Sequence, residues 1–118
     1  MFGNKNVAPQ VDPNPGEKLI LEEDCSEVKL GSGILSLTSQ RIIFEKTEGS
    51  LTTLNKKTGS ALLNETLDKV GSVHPEGFIL TKVVVEIDGS KYKFSVFNSK
   101  KWAKEIDNQK ILFMKDQN

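Results

Sequence analysis

Apolar and polar residues alternate most regularly over residues 33–44, where Leu35 and Leu37 share one face of an extended segment and Ile42 with Phe44 resume on a common face. The polar stretch Thr38-Ser39-Gln40 interrupts the period of two, and its hydroxyls suit a turn closed on nearby backbone. This pattern predicts a β-hairpin. Upstream, residues 18–25 alternate as a first strand, with Leu19 and Leu21 on one face and Lys18, Ile20 and Glu22 on the other. Val28 and Leu30 carry the extended pattern to Gly31-Ser32-Gly33, read as a bend because glycine admits positive φ. Downstream, residues 45–60 lose apolar content and read as a long excursion, with a short strand over 51–54 and Lys56-Lys57 at its tip.

Residues 61–63 return to the sheet, and Leu67, Val70 and Val73 trace irregular structure ending at His74-Pro75-Glu76-Gly77. The β-branched run over residues 78–87 predicts a strong strand with Ile79, Val83, Val85 and Ile87 on one face. Asp88-Gly89, with Ser90, is a short-hairpin signal, and Tyr92, Phe94 and Val96 alternate with Lys91, Lys93 and Ser95 on the partner strand. Asn98 or Ser99 can cap a final helix of about four turns, in which Trp102, Ile106 and Phe113 recur at helical spacing and Trp102 fills the core. The expected fold is mainly β with one C-terminal helix: a strongly bent antiparallel sheet, or partly open barrel, of about seven strands capped by that amphipathic helix.

Composition narrows the chemistry. The 118 residues fit one domain, expected over 16–114, with a Pro- and Asn-rich arm at 1–15 and a tail at 115–118. Sixteen basic residues balance sixteen acidic ones, and fifteen of the cations are Lys, so phosphate-neutralising nucleic-acid binding is not expected. Arg41, the one Arg, suits a structural cation paired with Glu45 or Glu65. The lone Cys25 cannot form an internal disulfide, and with no signal segment or spanning apolar run the expected location is cytoplasmic. One His, one Cys and no metal-ligand or nucleophile spacing leave an enzyme, a metal site or a cofactor unexpected.

Several segments together resemble a known family. Gly16-Glu17, the Gly33-Ile34-Leu35-Ser36-Leu37-Thr38-Ser39-Gln40-Arg41-Ile42-Ile43-Phe44 hairpin, the Lys91-Tyr92-Lys93-Phe94 strand and the Trp102 helix are similar to a GRAM domain of the pleckstrin-homology-like (PH-like) superfold. GLUE-type domains and short bacterial or archaeal PH-like proteins are close relatives of that pattern. The resemblance implies a non-catalytic adaptor that binds protein partners or anionic lipid headgroups at a membrane periphery. In lipid-binding members, Lys and Arg around the first two strands hold the headgroup. Here Lys29 and Arg41 are the candidates for phosphate contact, with Gly31-Ser32-Gly33 in place of a basic loop.

From the residues themselves, Lys91, Lys93, Lys100, Lys101 and Lys104 form a candidate anionic-lipid or partner surface, with Lys56 and Lys57 as a second lysine pair. The alternative is a peptide-binding or homo-oligomeric scaffold without lipid affinity. It would use sheet edges, the long excursion, the arm, or the apolar helix end over residues 111–114.

Overall fold

The computed structural model describes residues 12–50 and 53–117, and their side chains apart from those of 48–50 and 53–60. Seven strands, β1 (Leu19–Glu27), β2 (Gly31–Thr38), β3 (Arg41–Ser50), β4 (Thr53–Thr66), β5 (Val70–Glu76), β6 (Lys82–Ile87) and β7 (Ser90–Phe94), precede one helix, α1 (Ser99–Asp116). They form one antiparallel sheet of order β4-β3-β2-β1-β7-β6-β5, left open between β4 and β5. The chain therefore has the bent seven-stranded sheet and terminal helix expected from its patterning. The core is built from the inward faces of both halves: Leu35, Leu37, Ile42 and Phe44 meet Val83, Val85, Ile87 and Phe94, and Trp102, Ala103 and Ile106 of α1 pack on the same cluster.

The β2–β3 hairpin forms as predicted, with Leu35 opposite Phe44 and Leu37 opposite Ile42. Thr38 Oγ1 accepts the N–H groups of Gln40 at 3.0 Å and Arg41 at 2.8 Å, which closes the turn. Gly33 is not part of a bend. It lies within β2, where a Cβ would stand 2.6 Å from both the Phe44 ring and the Glu45 carbonyl, so the strand can pass the ring only without a side chain. The reversal between β1 and β2 instead occupies residues 28–30 and ends at Gly31, whose φ is +85°.

Other departures have equally local causes. The register of β1 on β2 slips between Leu19 and Leu21, so the first strand does not keep Leu19 and Leu21 as a buried pair: Leu19 is exposed, and Ile20 and Leu21 are both half-buried against the core. Beyond the slip, Cys25 and Glu27 are buried. The excursion over 45–60 is largely strand, since β3 runs on to Ser50 and β4 starts at Thr53; residues 51 and 52 lie outside the described residues. Residues 67–76 are a single 3-10 turn and then β5, rather than irregular structure. Pro75 is tolerated because β5 is a sheet edge, where a strand residue without an N–H leaves no ladder partner unmet.

The strand expected from residue 78 begins only at Lys82, because Gly77 (φ +90°) turns the chain tightly against the Leu80 carbonyl. At Asp88 and Gly89 both φ values are positive, +50° and +83°, and Ile87 pairs directly with Ser90, the geometry of a two-residue hairpin turn. Ser90 thus starts the strand instead of lengthening the loop. The helix is longer than expected, eighteen residues, and Asn98 Oδ1 caps it by accepting the Lys101 N–H at 3.1 Å.

The two halves of the sheet meet at β1 and β7 through one register pair, Glu27 with Phe94, plus the Ser95 N–H donated to the Ser26 carbonyl at 2.9 Å. Side chains complete this seam. The buried Glu27 carboxylate accepts the N–H groups of Lys29 (2.6 Å), Leu30 (2.8 Å) and Lys93 (2.9 Å). Glu23 accepts the Phe97 N–H at 2.6 Å and Trp102 Nε1–H at 2.9 Å. Replacing Glu27 by Ala strands one backbone donor across the seam and two in the β1–β2 turn, and is expected to lower the unfolding free energy by about 3 kcal/mol in urea titration. Loss of Glu65, whose carboxylate only approaches Lys69 at 3.8 Å, changes it by less than about 1 kcal/mol.

Candidate functional site

Lys100, Lys101 and Lys104 project from the first two turns of α1, all exposed, and the first turn carries no acidic residue. Among the described residues none of their ammonium groups makes an ion pair. Lys93 reaches Glu76 at 3.4 Å, and Glu76 borders a groove of about 400 Å³ that Lys100 also lines. Lys91 stands two residues nearer the Asp88-Gly89 turn, opposite Glu86. Lys56 and Lys57 are not at a loop tip: their backbones belong to β4, opposite Glu48 and Thr47 of β3.

The two residues considered for phosphate contact occupy different settings. Lys29 lies in the β1–β2 turn with its Nζ 4.5 Å from the centre of the Tyr92 ring. Arg41 lies beyond the other end of the eight-residue β2, where strand rise alone is roughly 3.3 Å per residue. Its guanidinium is already engaged: Nε and Nη2 donate to the two Glu17 oxygens at 2.8 and 2.7 Å, and Nη2 also donates to the Asp12 carbonyl at 3.0 Å. The partner is thus Glu17, not Glu45 or Glu65. Thr38 Oγ1 donates to the same carboxylate at 2.6 Å, and the Asn14 N–H donates at 2.8 Å.

This cluster fastens residues 12–15, the end of the segment read as an arm, and Gly16-Glu17 after it to the β2–β3 turn. Gln40 and Asn14 side chains meet at 2.9 Å, and the Ser39 N–H donates to the Lys18 carbonyl at 2.8 Å. The remaining arm residues, 1–11, lie outside the described residues.

Sequence patterning missed the apolar tip of the β5–β6 connection. Phe78, Ile79 and Leu80 are 101, 93 and 83% exposed, and Phe97 in the β7–α1 connection is 92% exposed. A signal was present: three consecutive large apolar residues directly after Gly77 break the alternation that the rest of the strand keeps. Burial, helped by Glu23 and Asp24 nearby, pushes the Cys25 thiol up to about 12, so it stays protonated at neutral pH. Among the described residues no His, Cys, Asp and Glu groups cluster as metal ligands, and no helix is long and apolar enough to cross a membrane.

The open seven-stranded sheet closed by a C-terminal helix is a PH-like fold. Among solved structures it is similar to a "Vps36 N-terminal PH domain", at 16% sequence identity and a TM-score of 0.58, over 87% of this chain and 86% of that one. No family model matches the sequence, and no curated protein matches it. At that identity the likeness concerns fold alone.

The Glu17 clamp gives a pH signature. Burial pushes the Glu17 carboxyl up, but hydrogen bonds from Arg41, Thr38 and Asn14 outweigh it and hold the group at about 2. A carboxyl depressed on folding adds stability above its unfolded pKa and loses it as the pH falls toward the folded value. Glu17→Gln is therefore expected to cost about 2 kcal/mol at neutral pH. Urea titrations at descending pH should show the gap to wild type narrowing below about pH 5 and more than halved near pH 3. A gap independent of pH would mean that the carboxylate charge contributes nothing.

Proposed function

We propose that this PH-like chain is a non-catalytic recognition module of the GRAM and GLUE kind that associates peripherally with anionic membrane surfaces. The observation that carries the reading is the placement of Lys100, Lys101 and Lys104 at the start of α1. Cations there oppose the helix dipole, and no carboxylate of the first turn offsets them. The arrangement costs folding stability at the first turn, and negative charge brought from outside offsets that cost. An anionic leaflet supplies it, at about 1 kcal/mol for each lysine near the surface. Arg41, locked onto Glu17, contributes to the fold and leaves recognition to the lysines.

A second reading draws on Ile111, Leu112 and Met114, which are exposed at the far end of α1 and offer an apolar contact for a protein partner or a second copy. It predicts a monomer–dimer equilibrium that vesicles leave unaltered and that is lost on changing those three residues.

Sedimentation with vesicles of mixed neutral and anionic phospholipid tests the first reading. Wild type is expected to pellet with anionic vesicles at low salt, and the triple variant Lys100→Glu, Lys101→Glu, Lys104→Glu to lose at least about a hundredfold in partitioning. Its thermal midpoint should not fall, because acids at a helix start favour the dipole. Equal pelleting with purely neutral vesicles, or an undiminished variant, would overturn the reading.

A further inference from the structure

The geometry points to the Phe78-Ile79-Leu80 tip, together with Phe97, as a wedge that enters the acyl boundary of an anionic bilayer. This inference rests on the membrane reading above and adds to it the residues that leave water. Four large apolar side chains, each at least 83% exposed, come from two connections that the fold ties together. Thr81 Oγ1 donates to the Val96 carbonyl at 2.8 Å and contacts the Phe97 carbonyl at 3.4 Å, which fixes the base of one connection on the other. Gly77 fixes the tip itself: its φ is +90°, and any Cβ would lie 2.5 Å from the Leu80 carbonyl, so the turn exists in this form only with glycine. The tip is therefore a held conformation that presents its apolar residues outward, and exposing them is unfavourable in water alone.

Charge around the tip selects the occupant. Lys82 lines the groove on one side, beside Phe78 and Leu80, and Lys100 lines the groove on the other, beside Phe78 and Phe97. Among the described residues, the single acidic one bordering either groove is Glu76, and Lys93 lies 3.4 Å from it. An apolar crest rimmed by lysines matches a surface with an apolar interior and anionic headgroups at its rim, where amphipathic elements lodge their apolar side. A second copy of this chain fits poorly, because joining two such tips would bring the rim lysines of both copies together.

Depth-resolved fluorescence tests the wedge. Trp102 is buried and gives a constant background, so Ile79→Trp reports the tip and Val28→Trp, in the exposed β1–β2 turn, serves as control. With anionic vesicles containing lipid brominated on its acyl chains, emission from Ile79→Trp is expected to be quenched and that from Val28→Trp unchanged. The variant Phe78→Ser, Ile79→Ser, Leu80→Ser, which removes no core contact, is expected to bind about a hundredfold more weakly. Wild type should also retain residual binding in about 1 M salt, where the screening length falls to roughly 3 Å, and the serine variant none.

Vesicle binding by wild type without quenching of Ile79→Trp would overturn the wedge and leave the lysine reading standing. No binding of wild type to any vesicle would overturn both. A self-association of wild type in the absence of lipid that the serine variant abolishes would assign the tip to a second copy instead.

Discussion

Glu27 stands where β1 passes β7, and its buried carboxylate takes the N–H groups of Lys29, Leu30 and Lys93 at the one place where the sheet's two halves share a register pair. Each half is internally well laddered: β4-β3-β2-β1 on one side and β7-β6-β5 on the other. Their junction is not, so its strength lies in charge-assisted hydrogen bonds to side chains. A carboxylate in that position loses hydration, and three donors at 2.9 Å or less replace it. Glu23 extends the same device one step further along β1. By holding the Phe97 N–H and the Trp102 indole, it sets where the chain leaves β7 and how α1 enters the core. The helix position, the groove beside Lys100 and the exposure of Phe97 all follow from a seam that two acidic side chains hold shut.

The acidic run that makes this seam also shows what sequence patterning can and cannot resolve. Residues 33–44 are legible because a period of two survives any detail of packing, and the Asp88-Gly89 turn is legible because few residue pairs adopt two positive φ values. The Trp102 helix is legible from spacing alone. The burial of Glu27 and the bonds of Glu23 leave no mark in the alternation, since carboxylates are rarely buried without partners, and the partners that tie them to the other half, the N–H groups of Lys93 and Phe97 and the Trp102 indole, lie some seventy residues away. Gly33 reads as a bend because glycine usually reports backbone freedom, whereas here it reports the Phe44 ring pressing on the strand. The long β3–β4 hairpin was missed because its outer half is polar, so no apolar period marks it.

The candidate site divides along the same line. Arg41 was recognisable as a structural cation from its place beside an apolar strand, but its partner was not, because Glu17 belongs to a segment that composition marks as loose. Its raised affinity for the proton has the Glu17 hydrogen bond as its main source. That bond returns a favour to the chain: it fastens residues 12–17 over the β2–β3 turn and draws the lone guanidinium away from any external phosphate. On the proposed membrane reading the lysines meet the anion, and lysines attract diffusely, without the paired geometry by which arginine discriminates among phosphates. A surface of distributed negative charge suits such a set better than one defined headgroup does.

Two features of the molecule run against its own stability. Cations crowd the start of α1, where the helix dipole disfavours them, and Phe78, Ile79, Leu80 and Phe97 stay in water although the core lies a few residues away. At the Asn98 cap and the Gly33 clearance, by contrast, local preference and global packing agree. Both lie around the β5–β6 and β7–α1 connections, with Lys100 touching the same groove as Phe78 and Phe97. Two independent departures from folding logic at one end of a sheet have a common explanation if that end is completed from outside by something apolar within and anionic at its edge.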